Sequence, residues 1–356
     1  MTIKRRITQF LSFSACSAAA LFGGAWALST QTPDLLQTRV GFTQMPLETE
    51  HRERALDLHI WYPASASAEA DLITQNALMY GFQAQRDAEP QTGAHPLIVF
   101  SHGSGGRMSQ IAWMASALAQ EGYIVAGVNH HGTTSRDSDP HQTVQTWMRP
   151  QDISAVLDAF ETGATGITAD MERVASSGFS FGGYTALAMA GAQLSKAQFI
   201  DYCDAFSGIL DCGWYQNAGV DFTSIDATKY EADFSDARIS ATIAIDPALP
   251  RAMTKSSLSA MELPTLIVNF GRADEIPAGV RADGIAATMQ NARYVDTANA
   301  WHFSGINACS WLGWGIIGAS GFFTGEDNIC ADAGRSRGDV QREVLEPILA
   351  FAKEHI

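Results

Sequence analysis

The sequence predicts an α/β fold, with a mostly parallel central sheet covered by helices on both faces. Three observations carry that expectation. Short apolar runs recur along the chain, as strands buried on both faces require. Helix-like segments separate them, the order of a parallel sheet. The 356 residues are 46% hydrophobic and only 17% charged, enough apolar material for a large core.

The elements follow in chain order. Residues 56–62 alternate and are β-rich, and residues 96–100 are a short buried run. Residues 108–120 read as helix and 123–128 as the next strand. Arg149-Pro150-Gln151-Asp152 opens a helix, with Pro and Asp in its first turn. Its apolar face is Ile153, Val156, Leu157 and Phe160, at helical spacing. Residues 174–179 form a strand that runs into Ser180, followed by a small-residue helix to about Ala190. Residues 239–245, 264–270 and 292–296 are further strands, and 339–353 form a closing helix. Two stretches interrupt the alternation, 63–95 and 191–238. The second is either a surface excursion pinned by a disulfide or a lid over a pocket.

The N-terminus reads as an address. Lys4-Arg5-Arg6 precedes a mostly apolar segment, and Ala25-Trp26-Ala27 offers a cleavage site, so residues 1–27 are expected to be a signal peptide. Residues 28–356 then form a single domain. An uncleaved anchor is the alternative. Cysteine usage points to the same exported location, periplasmic or secreted: Cys203 and Cys212 make one local pair, Cys309 and Cys330 another. Loop entropy suggests roughly 3 kcal/mol for each bridge. Elsewhere no window is long and apolar enough for a membrane span. The net charge of −15 repels phosphate backbones, so no nucleic-acid partner is expected.

The chemistry begins at Gly178-Phe179-Ser180-Phe181-Gly182-Gly183, a G-x-S-x-G pattern between a buried strand and a helix. A serine on so sharp a turn sits in strained backbone, and its neighbours must lack bulk. Ser180 is the expected nucleophile. Only His302 and His355 follow it, and His302 lies just after the last strand, so it is the expected base. For the acid, Asp274 is favoured because it follows the strand 264–270 in a turn closed by Pro277. Asp246, after the strand 239–245, is the rival, and Asp296 is too near His302 in sequence to be preferred. Oxyanion donors are expected from the amides of Phe181 and Ser104, the latter in the glycine-rich loop Ser101-His102-Gly103-Ser104-Gly105-Gly106. His102 is read as structural. His130, His131, Asp137, Asp139 and His141 could be drawn as a metal site, but their irregular spacing favours a solvated loop at the pocket mouth. No metal is expected there.

With these residues the chain resembles the serine α/β-hydrolases. More narrowly, it is similar to a bacterial "predicted dienelactone hydrolase" family related to platelet-activating-factor acetylhydrolase. Trp61-Tyr62-Pro63, Phe100-Ser101-His102-Gly103, Arg149-Pro150 through Asp152-Ile153 and Leu157-Asp158, the serine motif and His302-Phe303 carry that likeness over residues 40–355. The resemblance implies a carboxylic-ester hydrolase with no metal or organic cofactor, acting on a small-molecule or lipid-like ester. The acetylhydrolase branch takes its acid from the earlier strand, which favours Asp246. An inactive hydrolase fold that binds a ligand, a polyester- or lipid-degrading enzyme and a peptidase remain alternatives. An aromatic groove for polymers would use Trp301, Trp311 and Trp314, but core positions beside the 309–330 loop are the favoured reading of these tryptophans.

Overall fold

Ten strands form one sheet in the computed structural model, in the order β10-β9-β8-β7-β5-β6-β2-β1-β4-β3. The structure describes residues 37–356 except 273, 325–327 and 333, together with the backbone alone at 210 and 321–324. The expected signal peptide therefore lies outside the described residues. The strands are β1 (Gln37–Leu47), β2 (Leu56–Glu69), β3 (Asp71–Ile73), β4 (Phe82–Arg86), β5 (His95–Ser101), β6 (Ile124–Asn129), β7 (Ala169–Phe179), β8 (Ala241–Ile245), β9 (Thr265–Phe270) and β10 (Ala292–Thr297). From β6 to β10 every neighbouring pair is parallel. The β1–β2 hairpin adds antiparallel to β6.

Alternation within the apolar runs explains why helices cover both faces. In β5, Leu97 and Val99 enter one core and Ile98 and Phe100 the other. Helix α2 (Met148–Glu161) packs Ile153, Val156, Leu157 and Phe160 on the first face. Helices α1 (Ala112–Gln120) and α7 (Arg337–His355) cover the second, α7 through Val340, Val344, Ile348 and Phe351. This is the α/β-hydrolase fold.

The two interruptions have different fates. Much of 63–95 stays in the sheet, as the end of β2 with β3 and β4. The 191–238 stretch instead folds as α4 (Lys196–Ala205), α5 (Leu210–Asn217) and shorter turns. It buries Phe199, Tyr202, Tyr215 and Tyr230 against α3 (Phe181–Met189), and the Cys203–Cys212 disulfide ties α4 to α5. The second disulfide joins Cys309 and Cys330 around α6 (Trp311–Thr324).

Helix α6 corrects one expectation. Trp311 and Trp314 are not core residues; they are 48% and 56% exposed. A methyl on Gly313 would lie 1.9 Å from the Leu78 carbonyl oxygen, so the helix presses Leu312 and Gly313 inward and turns both tryptophans out. Trp301 is part-buried, its indole N–H donating to the Ala331 carbonyl. Among the described residues no helix is long and apolar enough to cross a membrane.

The disulfides close loops of nine and twenty-one residues. Replacing each pair by serine should cost about 2.5 and about 3 kcal/mol of stability respectively. Urea unfolding of the two double variants checks this; unchanged midpoints, with four alkylatable thiols in the native protein, would contradict it.

Candidate active site

Parallel strands end together, so the carboxyl ends of β5, β7 and β8 and the loop after β10 share one edge of the sheet. Ser180 sits at the junction of β7 and α3 with φ 58° and ψ −120°, a conformation that costs energy for a residue with a side chain. Four backbone hydrogen bonds hold it there. Its N–H donates to Ile245, and its carbonyl accepts from Gly183, Tyr184 and Ala248. The glycines are required by contact. A methyl on Gly182 would lie 1.8 Å from the Ser101 carbonyl oxygen, and one on Gly178 would lie 2.1 Å from that of Gly182.

His302 follows β10 in a short 3-10 turn and stacks on Phe179, ring centres 4.9 Å apart. Its Nε2 is 2.9 Å from Ser180 Oγ, and its Nδ1 is 2.6 Å from Asp246 Oδ2. The other oxygen of Asp246 accepts from the Asn269 side chain (2.5 Å) and the Phe270 amide (3.0 Å). With both oxygens occupied as acceptors, the carboxylate orients the imidazole with its proton on Nδ1 and leaves Nε2 free to accept from Ser180. Burial works against protonating His302. The hydrogen bond and charge of Asp246, with a further contribution from Asp211, outweigh it and hold the imidazole above its ordinary pKa.

The carboxylate that meets His302 is the alternative one, not Asp274. Asp274 is 77% exposed and faces Arg272 at 3.8 Å, while Asp246 is the carboxylate on His302. Asp246 takes a left-handed backbone, φ 46°, which turns its side chain in over the end of β9, where Asn269 and Phe270 receive it. Asp296 is exposed on β10. Ser104 and Phe181 line the same cavity of about 400 Å³ as Ser180 and His302.

One further residue falls differently from expectation. His130 does not belong to a solvated loop: it is fully buried, its Nδ1 donating to Asp152 (2.7 Å) and its Nε2 accepting from Ser101 (2.9 Å). Burial pushes its pKa down to about 4, against the pull of Asp152, so it is neutral. His131 bonds the Ala55 carbonyl, Asp137 accepts from the Gly132 and Thr134 amides, and Asp139 caps the short helix that contains His141. His102 is buried, its Nδ1 donating to the Gly103 carbonyl and its Nε2 accepting from the His130 amide.

The sequence did not single out Asp211, Trp214 or Tyr215 from α5, yet all three line the cavity. Asp211 accepts from Tyr202 (2.9 Å) and from the amide of Leu249 (2.8 Å), itself left-handed at φ 59°. Burial raises its carboxyl above the usual range against those two bonds. Their only signal in the sequence is the neighbouring Cys212.

Residues 109–200 match the prolyl oligopeptidase family. An uncharacterized Escherichia coli (strain K12) protein, YcjY, is 31% identical over 152 residues, which are 42% of this chain and 47% of that protein. The match thus spans about half of that relative's length. Among solved structures, a ferulic acid esterase from Streptomyces cinnamoneus is similar at TM-score 0.59 and 16% identity, covering 92% of each chain. A Mycobacterium tuberculosis puromycin-hydrolyzing peptidase is similar at TM-score 0.50 and 15% identity, over 91% of this chain and 40% of that one. At such identities the likeness is one of fold, and it is the same α/β-hydrolase fold.

The contact at Gly182 yields a prediction. Gly182→Ala should cost about 3 kcal/mol, because backbone rather than a flexible side chain must move. Gly208→Ala, whose methyl meets open space, should change stability by less than about 0.5 kcal/mol. Chemical unfolding of both variants checks the pair, and equal stabilities would contradict the contact.

Proposed function

We propose that the protein is an exported carboxylic-ester hydrolase that works through Ser180, His302 and Asp246 and an acyl-enzyme intermediate. The observation that carries this reading is the unbroken hydrogen-bonded chain from Asp246 through His302 to Ser180, opening on a cavity. His302 takes the Ser180 proton as the hydroxyl attacks the ester carbonyl, then returns it to the leaving alcohol. Asp246 holds the tautomer and stabilises the imidazolium. The amides of Phe181 and Ser104 receive the oxyanion. Water then repeats the sequence in reverse and frees the acid. No step calls on a metal or cofactor.

Export is supported by Lys4-Arg5-Arg6 before an apolar segment and by the two disulfides. The acid on the earlier strand is the arrangement that the acetylhydrolase resemblance implies. The match of residues 109–200 to the prolyl oligopeptidase family favours a second reading, hydrolysis of amide bonds by the same residues. A panel of p-nitrophenyl esters of rising chain length, run beside aminoacyl p-nitroanilides, separates the two. Ester turnover at least a hundredfold above anilide turnover supports the esterase, and the reverse supports the peptidase.

Two predictions follow the mechanism. Ser180→Ala should lower kcat by about 10⁶ and Asp246→Asn by about 10⁴, while Asp274→Asn keeps at least about a tenth of it. Steady-state kinetics on folded variants decides, and a crippled Asp274→Asn with an active Asp246→Asn would reverse the assignment. The second concerns pH. His302 accepts the serine proton only when neutral, and its pKa is raised, so kcat/KM should fall on acidification through a pKa above the ordinary imidazole value. A pH–rate profile with its acid limb below that value would contradict the pairing with Asp246.

A further inference from the structure

Arg149 is fully buried at the start of α2, and among the described residues no carboxylate lies within ion-pair distance of it. A charge in that position has to be held by something else. Its Nη1 donates to the His102 carbonyl (2.5 Å) and to Ser101 Oγ (3.2 Å). Its Nη2 donates to Thr133 Oγ1 (2.8 Å) and reaches the Gly103 carbonyl at 3.5 Å. The guanidinium carbon lies 4.6 Å from the centre of the Phe181 ring. Below it, Asp152 accepts from His51, Arg52 and His130, and His130 accepts from Ser101, so the layer under the arginine is itself hydrogen-bonded.

One peptide group makes this arrangement consequential. The Gly103 carbonyl and the Ser104 N–H belong to the same trans peptide and point in opposite directions. The carbonyl is drawn inward by the His102 ring (2.7 Å), the Gly106 amide (3.0 Å) and Arg149. The Ser104 N–H is thereby turned the other way, and Ser104 lines the cavity. The same guanidinium packs on Phe181, the residue that bears the other oxyanion donor.

We propose that Arg149 is a positioning residue that sets both oxyanion donors, through the Gly103–Ser104 peptide on one side and the Phe181 ring on the other. This rests on the reading that the Phe181 and Ser104 amides receive the oxyanion. The role calls for a planar fork that reaches several acceptors at once and stacks on a ring, which lysine cannot reproduce.

The test uses the full-length mature protein with Arg149→Met, Arg149→Lys and Thr133→Val, the last removing one anchor of the arginine while keeping the arginine itself. Each is assayed for kcat and KM on a p-nitrophenyl ester and for inhibition by a trifluoromethyl ketone, which forms a tetrahedral oxyanion on the serine. Loss of an oxyanion donor lowers kcat about 10²–10³-fold. Arg149→Met and Arg149→Lys should each lose kcat by at least about 10²-fold and lose ketone affinity in parallel, with KM within about threefold. Thr133→Val should lose about tenfold in both, and it decides the matter if the arginine variants do not fold. Wild-type kcat in a folded Arg149→Met, or a fall in kcat with ketone affinity unchanged, overturns the proposal. Thr133→Val with wild-type kcat and ketone affinity overturns it equally. The underlying reading fails separately, if Ser180→Ala remains active.

Discussion

The Ser101 carbonyl oxygen fills the space that a side chain on Gly182 would need, and the geometry of the site depends on that close approach. It arises because β5 and β7 are parallel neighbours whose carboxyl ends meet at one edge. The chain leaving β7 must turn into α3 beside the end of β5, with no room for a side chain at the crossing. The serine at the turn therefore takes a conformation that a residue with a Cβ rarely adopts, and its carbonyl is held by three amides. One of the three comes from Ala248, two residues beyond Asp246. Ser180 and Asp246 are thus fixed against each other through backbone, before His302 bridges them.

Charge is arranged in two layers around this turn. The upper layer holds Asp246, His302 and Ser180, the last two lining the cavity, and there the imidazole pKa is raised by its carboxylate partner. The lower layer holds Arg149, Asp152, His130 and Ser101, and there burial drives both histidines, His102 and His130, toward the neutral form. Ser101, His130 and Asp152 reproduce the hydrogen-bond order of the upper layer, yet all three are buried away from any substrate. Accessibility, not the order of side chains, separates Ser180 from Ser101. Helix α5 supplies one wall of the cavity, and Asp211 ties that wall to the turn bearing Asp246 by accepting from the Leu249 amide.

Much of this was legible in the sequence because buried parallel strands are continuous apolar runs. Residues 96–100, 174–179 and 264–270 match observed strands to within a few residues, the largest gap being the earlier start of β7. The serine turn was legible because close backbone approach demands glycine. The acid was not. Asp246 and Asp274 both follow buried strands, and spacing does not tell which turn curls inward; a left-handed aspartate and the donors Asn269 and Phe270 decide it. The outward tryptophans of α6 were illegible for a similar reason, since an uncharged helix gives no polar face from which to read its orientation. His130 and Arg149 were hidden because burial of a polar side chain depends on partners distant in sequence, such as Ser101 and Thr133.

A short hydrogen bond joins His302 Nδ1 to Asp246 and leaves Nε2 facing Ser180 Oγ. Proton NMR observes that bond directly, as a far-downfield ring N–H resonance protected from exchange. Such a resonance is expected in the wild type and in Asp274→Asn, and is expected to be absent from His302→Ala and Asp246→Asn. A resonance that persists in folded Asp246→Asn, or that vanishes in Asp274→Asn, would contradict it.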